Sequence, residues 1–317
     1  MPKQYKSKPI LRILICLLRV FQINIGNNLT KKAYLQLHIA IFLWGFTAIL
    51  GDLISLSAFW LVLWRVAITS ATLILLPGVR KSILQLTRKL FGVYFMVGAL
   101  IAIHWVTFFG AIKYANASVG LVAMATVSLF TAFIEPLYFK RKIRTAEVLF
   151  GLLVIPAMLL IVKDLQSDMR LGLGIGLISA FLAAMFAVIN KKYVEETDPQ
   201  AITFVELFSA FLVLAVMSPI VYTNYDSIWW PVDLDWIYLL ILAVLCTCVA
   251  FILHLYALKY ISAFASNLAI NLEPVYGIIL AGFLLGDFEE LNYSFYLGVV
   301  IILLCVLIYP RFSRKYE

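Results

Sequence analysis

Four ionisable residues stand inside long apolar runs of this sequence: Arg65, Glu135, Glu206 and Glu273. A charge at the centre of a membrane-spanning helix costs roughly 2.5 to 3.5 kcal/mol on insertion scales, so each needs a use or a partner. A buried carboxylate can bind a cationic or zwitterionic solute or carry a proton. A buried guanidinium can hold a carboxylate group, or pair with a glutamate to fasten two helices together. Glu273 and Arg65 fall near the middle of their runs, whereas Glu135 and Glu206 fall about one turn from an inner end, where water can reach them. Three carboxylates against one arginine leave a formal interior charge of −2. That balance favours cationic or zwitterionic solutes, or protonation of Glu273 or Glu206 in a proton-coupled cycle.

Glu273 is followed by a proline in the stretch LEPVYGIILAGFLLGD, residues 272 to 287. Pro274 has no backbone N–H, and its ring crowds the carbonyl of Ile270, so a helix should bend or open there. Freed carbonyls at membrane depth are tolerated only against protein or a wet cavity. On a continuous helix Asn267, Asn271 and Pro274, at spacings of four and three, share a stripe, with Glu273 offset by about 100°. The candidate solute pathway is therefore Trp44, Arg65, His104, Glu206, Asn267, Asn271 and Glu273, with Pro274 as the bend. Trp105, Asn190, His254 and Tyr256 are further polar or aromatic groups that could line it. Two other readings stay open: an ion pair between Arg65 and Glu273 that positions helices, and snorkelling of Glu206 to the surface. No catalytic residue, metal site or cofactor is expected, because the chain has no His-Glu-x-x-His, no Walker loop and no paired aspartates on one span. The string GLGIG at 172 to 176 opens an apolar run with no strand before it and reads as close helix packing through small residues.

The elements that would hold these residues follow from composition. Of 317 residues, 64% are hydrophobic and 13% charged, about half the usual charged share. A bilayer core about 30 Å thick needs roughly 20 apolar residues per helix. Ten such stretches are present: 33–51, 57–77, 90–110, 117–138, 147–162, 171–192, 201–220, 236–258, 262–285 and 292–309, the fifth being the shortest. The expected fold is an all-α integral membrane protein of ten transmembrane helices. The net charge of +8 does not point to nucleic acid, because 21 of the 25 basic residues collect in alternate connections. That positive-inside pattern places both termini in the cytoplasm. Residues 9–25, with Arg12 and Arg19 on one helical face, read as an amphipathic surface helix within an N-terminal extension, 1–32. A cleaved signal peptide is the alternative, but no small-residue cleavage site follows the run. Cys16, Cys246, Cys248 and Cys305 all sit in apolar runs and read as packing. Trp229, Trp230 and Trp236 read as an interfacial belt.

An offset of 146 lays AIKYANA (111–117) over ALKYISA (257–263), so the chain reads as two copies of five spans, 33–162 and 171–309, with a tail at 310–317. An odd number of spans inverts the second copy, and the charges agree: Lys113 falls outside and Lys259 inside. Inverted repeats are a transporter architecture, with the solute site near the midplane.

The segments LWGF (43–46), WRVAITSATLILLP (64–77) and ALKYISAFASNLAINLEPVYGIILAGFLLGD (257–287) make residues 33–309 resemble the EamA family of the drug/metabolite transporter superfamily. The resemblance implies ten helices, two inverted repeats and transport of small solutes, frequently export, in a bacterial inner membrane. The first half departs from the pattern, with Ser128 matching Pro274 and Arg141 matching Asp287, while Glu135-Pro136 follows eight residues later. The expected function is a secondary transporter, working as an exporter of amino acids or related amphipathic or cationic metabolites by alternating access. Its partners are the solute, the bilayer and protons as coupling ion. An intramembrane enzyme on lipid-linked substrates, using His104 and Glu273, and a non-transporting scaffold are the alternatives. The solute and the oligomeric state are not encoded in any motif.

Overall fold

The structure is a computed structural model that describes residues 29–115, 117–161, 170–224, 228–285 and 293–313. The expected surface helix at 9–25, Cys16 and the loop acids Asp226, Asp287, Glu289 and Glu290 lie outside the described residues. Among those described there is no strand. The helices are α1 (Leu29–Leu53), α2 (Ala58–Leu73), α3 (Pro77–Leu84), α4 (Arg88–Tyr114), α5 (Ala117–Ala125), α6 (Val127–Phe139), α7 (Thr145–Ile161), α8 (Arg170–Tyr193) and α9 (Pro199–Asn224). They continue with α10 (Asp235–Ala243), a π-helical stretch (Val244–Val249), α11 (Ala250–Leu258), α12 (Ala263–Ile270), α13 (Glu273–Leu285) and α14 (Tyr293–Ser313). In lipid the backbone must satisfy its own hydrogen bonds, and uninterrupted Leu, Ile, Phe and Ala runs do so as helices.

Eight helical segments are long and apolar enough to cross a membrane. The remaining two expected spans are helical but shorter. The second ends at Leu73, and the chain turns by 93° into α3. Pro77, expected inside the span, starts α3, where its fixed φ and missing N–H suit the first turn. The fifth is the 17-residue α7. At the chain's end α14 runs on through Pro310 to Ser313, into residues expected to form a tail.

Packing joins the two halves throughout. Helix α8 lies along α4, and α1 lies along α10, the π stretch and α11; α9 packs on α2 and α4, α14 on α7, α13 on α1, and α12 on α6. Small residues allow the closest of these approaches. Gly172 and Gly176 sit against Ala115 and Ala123, which is the role expected for GLGIG. Gly45 abuts the backbone of Tyr276 and Gly277, so α1 meets α13 with nothing between. Gly98 is tighter still, since a Cβ there would overlap the carbonyl oxygen of Glu206. Outward faces are apolar, with Val216 77%, Leu137 73% and Leu307 67% exposed, as lipid contact requires.

One end of the bundle is fastened by ions. Glu147 on α7 is fully buried and takes Arg141 at 2.9 and 3.1 Å, with Arg144 at 3.6 Å and the Tyr309 hydroxyl donating at 3.2 Å. Glu135 on α6, expected to be reached by water, is buried instead, because its carboxylate accepts the Phe264 N–H at 2.8 Å. That N–H belongs to the first turn of α12, where an anion complements both the free donor and the helix dipole. Arg141 lies 3.7 Å from the same carboxylate. At the other end Trp64 donates its indole N–H to the Trp229 carbonyl at 3.0 Å and meets Trp230 and Trp236 edge to face.

Two glycines on α4 test the packing. Gly92 faces open space, so Gly92→Ala should be neutral or stabilise by up to about 1 kcal/mol through helix propensity. Gly98→Ala should lose about 1 to 3 kcal/mol by overpacking. Thermal melts of the two purified variants check the difference, and equal melting temperatures would contradict the close α4–α9 approach.

Candidate solute-binding site

The helix carrying the proline stops short of it. α12 ends at Ile270, Asn271 and Leu272 form a turn, and α13 restarts at Glu273. The Asn271 side-chain amide donates to the carbonyls of Asn267 (3.0 Å) and Leu268 (3.1 Å) at the end of α12, where Leu268 also accepts the Asn271 backbone N–H. Asn267 in turn donates to the Thr131 hydroxyl on α6 at 2.7 Å, tying the break to the other half of the chain. Because the helix is interrupted, the 100° offset expected for Glu273 no longer applies. Asn267, Asn271, Glu273 and Pro274 all line one cavity.

That cavity has a volume of about 120 Å³. It also holds Trp44 from α1, Arg65 from α2 and His104 from α4, so seven of the eight residues singled out in the sequence meet there. The eighth, Glu206, lies outside it. Asn190, singled out with less weight, is the neighbour of Glu206 and lies outside the cavity too; its amide nitrogen is 3.4 Å from a Glu206 oxygen.

Each wall has a physical cause. The LWGF glycine, Gly45, lets α1 approach α13 and brings Trp44 beside Glu273. Trp44 meets Phe251 and His254 edge to face at 5.8 and 5.3 Å, and Phe251 meets Trp105 at 5.6 Å. Arg65 is 3% exposed and lies over the Trp105 ring at 4.2 Å, a cation–π contact worth about 2 kcal/mol when desolvated. Its Nε donates to Thr247 Oγ1 at 2.6 Å, and Thr247 passes a hydrogen bond on to the Leu242 carbonyl at 2.7 Å. Thr247 sits in the π-helical stretch, whose wider turn opens the ladder for such a bond. The Nη groups of Arg65 make no hydrogen bond to the described residues.

Glu273 and Arg65 share the cavity without touching: no oxygen of Glu273 comes within 4 Å of an Arg65 nitrogen. The helix-positioning ion pair is therefore not formed in this structure. His104 is held by Ser179, whose hydroxyl and carbonyl lie 2.8 and 3.0 Å from Nδ1, and His254 by Ser266 at 2.8 Å. Both imidazoles thus have one nitrogen engaged. Tyr256 packs beside Lys259, away from the cavity lining.

Two groups carry no signal in the sequence: Thr47, which lines the cavity, and Thr247, which holds Arg65 from behind it. Thr47, one turn after Trp44 on α1, has a buried hydroxyl with no hydrogen-bond partner among the described residues. Thr247 reads in the sequence as one polar atom between two cysteines, and only the π turn directs it at Arg65. A lone threonine in an apolar run usually bonds back to its own helix, so neither could be picked out beforehand.

A crystal structure of a protein superimposes with a TM-score of 0.73 over 90% of this chain and 99% of that one, at 16% identity, a likeness of fold. "Uncharacterized transporter YwfM" of Bacillus subtilis (strain 168) is 24% identical over 291 residues, 87% of this chain and 93% of its own length. An "Uncharacterized transporter" of Clostridium kluyveri is 25% identical over 256 residues, covering 77% and 81%. The model of the EamA-like transporter family matches twice, over residues 31–163 and again over 170–309, and the chain, a multi-pass membrane protein, belongs to that family.

Proposed function

We propose that the protein is a secondary transporter that exports small organic solutes, amino acids or related amphipathic and cationic metabolites, across the bacterial inner membrane. The observation that carries this reading is the pair Arg65 and Glu273, opposite charges facing one cavity with neither neutralising the other by contact. A zwitterion fits between them. Its carboxylate takes the unengaged Nη donors of Arg65, its ammonium takes Glu273, and its side chain lies against Trp44, Phe251 and Trp105. At about 120 Å³ the cavity falls below the roughly 300 Å³ at which drug-sized pockets begin, which favours a small metabolite.

Alternating access of two inverted five-helix repeats is the proposed mechanism. The break in the first half, at Thr126 between α5 and α6, falls 146 residues before Leu272, the offset that aligns the two halves. The double family match, 31–163 and 170–309, divides the chain nearly where the sequence does. Reading the bent second and the short fifth helices as spans brings the eight long ones to ten, with both termini cytoplasmic. Paired broken helices around a central site are what such transporters use to hold solutes at the midplane. Protons are the proposed coupling ion.

Thermal stabilisation of the purified protein by a panel of amino acids, amines, nucleosides and cationic drugs tests the reading, since a ligand that binds only the folded state raises its melting temperature. A small zwitterion or amine is expected to stabilise the wild type and to bind Glu273→Gln about 10- to 100-fold more weakly, the loss of one charged hydrogen bond. No hit from the panel, with Glu273→Gln melting far below wild type, would point to a structural carboxylate instead. Thr47→Val should leave the ligand-free melting temperature unchanged or raise it, since it removes an unpaired buried hydroxyl, and should weaken the same ligand about fivefold, because that hydroxyl is the partner a ligand would meet. Equal affinities would remove Thr47 from the site.

A further inference from the structure

Glu206 is fully buried on α9, Asn190 is 2% exposed on α8, and both lie outside the solute cavity. The Asn190 amide nitrogen donates to Glu206 Oε2 at 3.4 Å. That leaves Glu206 Oε1 and Asn190 Oδ1, two buried oxygens, without a hydrogen-bond partner among the described residues. An orphaned buried acceptor costs about 1 to 3 kcal/mol, and here there are two on one pair of side chains. One hydrogen on Oε1 removes both. A carboxylic acid and a primary amide are complementary, the amide N–H donating to one acid oxygen while the acid O–H donates to the amide oxygen.

No positive charge competes for the site. Among the described residues no Lys, Arg or His nitrogen lies within 4 Å of the Glu206 carboxylate. On the neighbouring helices Arg65 is bonded to Thr247, Arg80 donates to the Ile74 carbonyl, and Lys191 donates to the Leu258 and Lys259 carbonyls. Lys192 lies over Tyr138, while His104 and His254 are held by Ser179 and Ser266. The ionisable group tied to Glu206 is a phenol, Tyr94 on α4, whose hydroxyl donates to the Tyr193 carbonyl at 3.0 Å. A hard divalent metal ion takes about six or more oxygens, and this pair of side chains offers three, one of them already accepting the Asn190 amide.

We infer that Glu206 and Asn190 form a proton-binding site separate from the solute cavity, closed when the carboxyl hydrogen of Glu206 is donated to Asn190 Oδ1. Binding adds one proton from water to the carboxylate, and release returns it, with no other bond changed. The site connects to transport through α4. That helix lies against the Glu206 carbonyl at Gly98 and also carries His104, Trp105 and Phe108 of the cavity wall, so a movement of α4 against α9 bears on both sites. This inference rests on the transport reading and adds a division of labour to it: Arg65 and Glu273 hold the solute, Glu206 and Asn190 hold the proton.

Infrared titration of the full-length protein in lipid, with pH varied in a choline chloride background, tests it without a solute. The expected result is a protonated-carboxyl C=O band that is lost in Glu206→Gln, kept in Glu273→Gln and shifted to higher frequency in Asn190→Ala. Glu206→Gln keeps the shape and the donor of the protonated form, so it should fold, and a thermal melt confirms that. The inference is overturned if wild type and Glu206→Gln give the same carboxyl band at every pH, or if Asn190→Ala leaves the band in place. Loss of the band on replacing choline by Na⁺ would also overturn it, by assigning the oxygens to a metal cation. Failure of the solute panel would strike the transport reading and leave this titration standing, so the two are judged apart.

Discussion

A helix that breaks in the middle of a bilayer leaves carbonyls that water cannot reach, and the rest of this structure is arranged around supplying them with partners. Between Ile270 and Glu273 the chain turns because Pro274 cannot donate and crowds the carbonyl four residues back. Asn271 folds its amide onto the carbonyls of Asn267 and Leu268, and Asn267 reaches Thr131 on α6. Each unsatisfied group would cost several kcal/mol in hydrocarbon. The residues that meet this need are polar, and they also line the cavity. Satisfying the break and building the site are one operation.

The buried charges sort by what neutralises them. Glu147 has two arginines and a tyrosine, and Glu135 has a helix N-terminus and Arg141. Removing one partner from such a buried pair costs about 3 to 5 kcal/mol, so these groups lock one end of the bundle. Among the described residues Arg65 has a hydroxyl and an aromatic face but no anion in contact, Glu273 has no cation in contact, and Glu206 has an amide as its one hydrogen-bond partner. Charges left incomplete by their own protein are where a mobile charge gains most by binding.

Glycine and alanine decide how near the helices come, and through that where the charges stand. Gly45 brings α1, with Trp44, onto α13, and Gly98 brings α4 onto the backbone of Glu206. In lipid, close packing rather than hydrophobicity drives helix association, so these small residues have no larger substitute at the same separation.

The sequence by itself determined the membrane class, the helical architecture and the family resemblance, because a ten-span apolar pattern and the price of a buried charge are properties of composition and spacing. It also singled out seven residues that the fold gathers around one cavity, since an intramembrane Arg, Glu or Asn beside a proline is costly wherever it stands. Tertiary structure decided what each charge faces. Glu135 and Glu206 look alike in the sequence, a glutamate about a turn from a helix end; one caps α12 and the other faces an amide, and neighbours distant in the chain make the difference. The bend after Leu73, the break at Thr126 without a proline two residues on, and the π turn that aims Thr247 at Arg65 were likewise invisible. Backbone departures of this kind are settled by packing between helices, which local propensity does not encode.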